Sequence, residues 1–125
     1  MAIRLFMSKE FSKFIRKEKI SHVKLIETIR KIDAGLIDAH YGGGVIKQRI
    51  SRDGEGGSSS YRFIILYRKA NKAFFVYGFN KNTQENITKT DEVGFKKLAK
   101  IMLAMTDQQI TMLLNAKKIE ELNND

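Results

Sequence analysis

The chain has 125 residues and a net charge of +9, from 23 Lys and Arg against 14 Asp and Glu. That length suits one domain, residues 1–125, and the basic surplus points to a polyanionic partner, either nucleic acid or an anionic membrane surface. It has no cysteine and two histidines. This excludes disulfide scaffolds, thiolate metal sites and cysteine nucleophiles, and no metal and no cofactor is expected.

Ile3–Met7 is a short β-prone run with Arg4 as its one charge. With no long apolar stretch elsewhere, the expectation is a cytoplasmic protein with no signal peptide and no membrane partner. Ser8 has the form of an N-cap, with Phe11, Phe14 and Ile15 at helical spacing after it. Ser21 is a second N-cap, followed by an apolar stripe of Val23, Leu25, Ile26, Ile29 and Ile32, with Gly35 as the stop. Gly42–Gly44 breaks any helix and leads into a strand over 45–51. There Ile46, Gln48 and Ile50 point one way, and Val45, Lys47, Arg49 and Ser51 the other. Residues 52–60 hold only polar residues, charges and glycine, so they read as an exposed loop. Strands follow over 61–68 and 73–80, joined by a hairpin turn at 69–72, and the apolar second strand reads as central and covered on both faces.

Beyond Asn86 the pattern turns helical. Asp91 is the expected cap of a helix whose face carries Phe95, Leu98, Ala99, Met102 and Met105. Thr106 and Gln109 form a capping box that starts another helix, with Ile110, Leu113 and Leu114 on its apolar edge. Ile119–Leu122 suits either a short strand or the end of that helix. Segregated strands and helices give the α+β class: a small antiparallel sheet packed on N-terminal and C-terminal helices, with Ile3–Met7 added as an outer strand.

Residues 41–90 carry nine Lys and Arg against three acids, so the charge is concentrated on the strands. Lys47 and Arg49 share a strand face, Arg52 follows at its exit, Arg62 opens the next strand and Lys81 lies just past the third. Tyr61 and Tyr77 are interleaved with them, whereas most of the phenylalanines read as core. Cations that hold phosphate beside rings that stack bases suit single-stranded RNA, so Arg49, Arg52, Tyr61 and Tyr77 are the expected RNA-binding set. His22 and His40 read as surface or structural residues, and no pair of acids stands out on the basic strands. Chemistry would then fall to Lys, Arg and Tyr. RNA permits this, because its 2′-hydroxyl is a nucleophile already tethered beside the phosphate. Arg62 is the expected stabiliser of developing charge, with Lys47 or Lys81 assisting proton transfer or charge balance.

The segment GGGVIKQRISRDGEGGSSSYRFIILYR, followed by AFFVYGFNKNTQENI and the tail MTDQQITMLLNAKKIEEL, resembles the RelE/HigB toxins of bacterial type II toxin–antitoxin systems. The likeness covers roughly residues 41–122. Lys47 and Arg49 match the family's basic strand pair, Arg62 the arginine opening the next strand, and Lys81 the cation after Tyr-Gly-Phe. Ser59-Ser60 and Thr83-Gln84 depart from the usual pattern. The resemblance implies a metal-independent endoribonuclease that cuts messenger RNA on translating ribosomes and is neutralised by a cognate antitoxin, expected to be a helix-turn-helix protein. Two alternatives stay open: an inhibitor of DNA gyrase like the related ParE toxins, and an RNA-binding module without cleavage.

Overall fold

A strand that alternates like Val45–Ile50 needs cover on one face, and an apolar run like 73–80 needs it on both. A computed structural model, which describes residues 3–50 and 61–122, provides that cover in a mixed α+β fold. The first strand, β1 (Arg4–Ser8), leads into helices α1 (Lys9–Glu18) and α2 (His22–Asp33). Four strands follow: β2 (Ala39–Gly42), β3 (Val45–Ile50), β4 (Tyr61–Arg68) and β5 (Lys72–Asn80). Helices α3 (Lys89–Met102) and α4 (Asp107–Asn115) and a last strand, β6 (Ile119–Leu122), complete the fold. The six strands form one sheet in the order β2-β3-β4-β5-β1-β6.

β5 is interior, as its apolar run demands. The expectation that Ile3–Met7 is an outer strand does not hold: β1 lies inside the sheet, parallel to β5 and antiparallel to β6. The physical reason is its sequence. Leu5, Phe6 and Met7 are all buried, with Phe6 in the core on one face and its neighbours in the core on the other. Ile119–Leu122 is therefore a strand, and it supplies the edge beside β1. β2 is an element the pattern did not reveal. Gly43 and Gly44, at φ +63° and +87°, form a two-residue turn that folds β2 back on β3. Two consecutive positive φ values are the signature of the hairpin turn whose twist matches its strands.

The helices cover both faces. On one, α1 and α2 pack through Phe11, Ile15, Leu25, Ile29 and Ile32. The Phe11 ring lies edge-on to Phe63 at 4.8 Å and stacks on Phe75 at 5.3 Å. Gly78 makes room there, since a Cβ at that position would lie 2.5 Å from two Phe14 ring carbons. On the other face, Ala99 and Met102 of α3 and Ile110 of α4 meet Phe6, Ile64, Leu66 and Phe74. The loop 52–60 and the expected strand end at Ser51 lie outside the described residues.

The caps follow the chemistry with one correction. Ser8 caps α1 by accepting from the Phe11 N–H at 3.1 Å, and Thr106 and Gln109 form the expected box on α4. Asp91 is not the cap of α3. Thr88 is, and Asp91 completes a capping box from the third helical position, a carboxylate that the Thr-x-x-Asp spacing allows. Val23 leaves the α2 stripe for solvent because it sits two residues, about 200° of helix, from Leu25. Leu98 is likewise exposed on α3.

Candidate functional site

Pairing in chain order brings the cations together. Arg49 of β3 stands opposite Arg62 of β4, which in turn stands opposite Phe79 of β5. Lys47 lies two residues along on the same face. These side chains and Lys81 line an open cleft of about 470 Å³, together with Asp38, Glu85 and Asn86. Directly opposed like charges on neighbouring strands destabilise a sheet. The Arg49–Arg62 register thus concentrates two guanidinium groups on one face of neighbouring strands.

Each cation is held differently. Arg62 is buried, 8% exposed, and its Nη1 donates to the Tyr61 carbonyl at 3.0 Å, so its guanidinium is anchored at the cleft floor. Arg49 is exposed, and its backbone N–H donates to Asp38 Oδ2. Asp38 is itself pinned: its N–H donates to the buried Gln48 Oε1 at 2.8 Å, while Gln48 Nε2 donates to the Leu36 carbonyl at 3.1 Å. Lys47 is half-buried. Its Nζ donates to Asn86 Oδ1 at 3.2 Å and lies 5.8 Å from the centre of the Tyr41 ring. Lys81 is exposed in a turn shaped by Asn80, whose carbonyl accepts from the Thr83 and Gln84 N–H groups at 3.0 Å. The cleft presents four cations, two carboxylates and an amide. It can bind a phosphodiester and stabilise charge that builds on its oxygens.

The model of the RelE toxin of the RelE/RelB toxin–antitoxin system matches residues 3–122. The chain belongs to the RelE toxin family. Comparison with curated proteins finds no match. Family membership makes this chain the toxin of a toxin–antitoxin pair, with a cognate antitoxin as partner.

In this RelE-family toxin the structure gathers Lys47, Arg49, Arg62 and Lys81 but not the two tyrosines. Tyr61 is 1% exposed on the opposite sheet face, where its hydroxyl donates to Glu18 Oε1 at 2.7 Å and its ring meets Phe14 edge-on. Adjacent strand residues point to opposite faces, so Tyr61 and Arg62 cannot both reach the cleft. A buried ring is closed to a nucleobase, which corrects the expected RNA-binding role of Tyr61. Tyr77 is half-buried beside the cleft. It packs between Phe79 and Phe95, at 5.9 and 6.0 Å, and donates to Gln84 Oε1 at 2.8 Å. Arg52 lies outside the described residues.

Sequence reasoning missed Asp38, Glu85 and Asn86. The signal for Asp38 was the Gly43-Gly44 turn, which sets Ala39 opposite Lys47 and so brings its neighbour to the cleft. Among the described residues no group of three or more His, Asp or Glu is placed to hold a metal ion, and no helix is long and apolar enough to cross a membrane.

A second cationic cluster lies at the other end of the sheet and is structural. Arg4 donates to Glu121 through Nε and Nη2, both at 2.9 Å, and these contacts hold its pKa up. Lys72 Nζ donates to the Met105 carbonyl at 2.7 Å and Arg68 Nη1 to the Leu103 carbonyl at 2.9 Å, which ties the α3–α4 corner to the sheet. Burial pushes the Lys72 pKa down.

Proposed function

We propose that this toxin is a metal-independent endoribonuclease that cuts messenger RNA on translating ribosomes and so stops translation. The observation that carries the reading is the opposed Arg49–Arg62 pair, flanked by Lys47 and Lys81 in one open cleft. A surface that only docks a protein has no need of converging, mutually repelling cations. The chemistry asks little of the protein beyond position and charge. The ribose 2′-oxygen attacks the adjacent phosphorus, its proton leaves, and the bond to the 5′-oxygen breaks as that oxygen gains a proton. The products are a 2′,3′-cyclic phosphate and a 5′-hydroxyl. In this reading Arg62, held at the cleft floor, stabilises the charge on the non-bridging oxygens. Lys47 and Lys81 assist charge balance or proton transfer, and Arg49 binds a neighbouring phosphate.

Induced expression followed by mapping of RNA 5′ ends tests the proposal. New 5′-hydroxyl ends within translated messages are expected. Growth arrest without new ends refutes nuclease activity and moves the protein to gyrase inhibition. RNA binding without cuts reduces it to an RNA-binding module.

A further inference from the structure

Asn86 belongs to no strand or helix, yet three donors converge on its side-chain oxygen. Oδ1 accepts from the Ile87 N–H at 2.9 Å, from Lys47 Nζ at 3.2 Å and from the Tyr41 hydroxyl at 3.4 Å. A backbone N–H and an ammonium can only donate, so the oxygen, not the amide nitrogen, must face them. The Ile87 bond fixes the rotamer locally, one residue before Thr88 caps α3. The oxygen is thereby aimed at Lys47, and the Tyr41 ring supports the same ammonium from its face.

Both supports are neutral. Among the described residues no carboxylate forms an ion pair with Lys47. An amide oxygen holds an ammonium in place and leaves its full charge for an incoming anion, whereas a carboxylate there would compensate that charge. We propose that Asn86 is a positioning residue for RNA binding: it aims the Lys47 ammonium into the cleft and keeps it uncompensated for a backbone phosphate. This rests on the RNA reading above and adds the residue that sets how many charges the cleft offers.

The test is the salt dependence of binding to a single-stranded RNA oligonucleotide carrying 2′-O-methyl groups, which cannot be cut. Each phosphate neutralised contributes about 0.7 to the slope of log affinity against log salt. Asn86→Asp keeps an acceptor for the Ile87 N–H and should lower the slope by about 0.7, as Lys47→Met does. The double variant should match Lys47→Met alone. Asn86→Ser, a short neutral acceptor, should weaken binding but keep the wild-type slope. An unchanged slope in Asn86→Asp, an additive loss in the double variant, or a slope lowered equally by Asn86→Ser overturns the role of Asn86. Wild-type protein that ignores the oligonucleotide overturns RNA binding by the isolated cleft and with it the role of Asn86, whereas the mapping of RNA 5′ ends tests cleavage on the ribosome separately.

Discussion

Replacing Arg62 tests the proposed catalytic role, provided that folding is followed in parallel. Removing one positioned donor to a transition-state oxyanion typically costs about 2.7–4 kcal/mol, roughly a hundred- to thousandfold in rate. On the folding side, Arg62→Met gives up the Nη1 bond to the Tyr61 carbonyl, a loss of about 0.5–1.5 kcal/mol. It also removes a like charge directly opposite Arg49, an arrangement that is unfavourable in a sheet. Methionine keeps most of the apolar stem in a position that is 8% exposed. Parallel melting curves then establish that Arg62→Met is folded before its cleavage rate is compared with wild type. Arg62→Lys should fall between wild type and Arg62→Met, since a lysine restores charge but not the planar fork. The assay is RNA cleavage in a translating extract by purified variants whose melting curves are recorded in parallel. Cleavage by folded Arg62→Met at the wild-type rate would remove Arg62 from the mechanism.

Two further outcomes concern the fold. Gly78→Ala should destabilise by about 1–3 kcal/mol, because its Cβ would meet the Phe14 ring at 2.5 Å, and a thermal melt reads this directly. Tyr67 is half-buried and donates to Asp33, and its burial first, then that bond, hold its pKa above the usual 10.0. Above pH 10.0 the unfolded chain loses this proton while the folded chain retains it, so stability should fall as pH rises. Tyr67→Phe should flatten that alkaline slope in denaturant titrations, and an unchanged slope would assign it to other groups.

The central strands and the four cations were legible in the sequence because both depend on local rules. Period-two alternation placed Lys47 and Arg49 together, and hairpin spacing placed Arg62 beside them. The errors arose where a partner distant in the chain decided the outcome. β1 reads as an edge when seen alone, and only pairing with residues 119–122 makes it interior. Tyr61 has the composition of a stacking residue, but its partners Phe14 and Glu18 come from α1, on the far face. Asn86 carries no pattern at all, since two of the three donors to its oxygen, Lys47 and Tyr41, come from strands and lie 39 and 45 residues earlier in the chain.

The placement of β1 also sets the order in which this chain can become a toxin during its own synthesis. The cleft strands β2 to β5 are neighbours in sequence and can pair as soon as they emerge. β1, in contrast, stays half-satisfied until β6 is made, because among the described residues only β6 pairs with its outer side. A nascent chain, or one clipped near its C-terminus, therefore exposes the edge of Leu5, Phe6 and Met7, an apolar template for pairing with other chains. Arrival of β6 closes that edge with a strand bearing Glu120 and Glu121, whose charges discourage further addition.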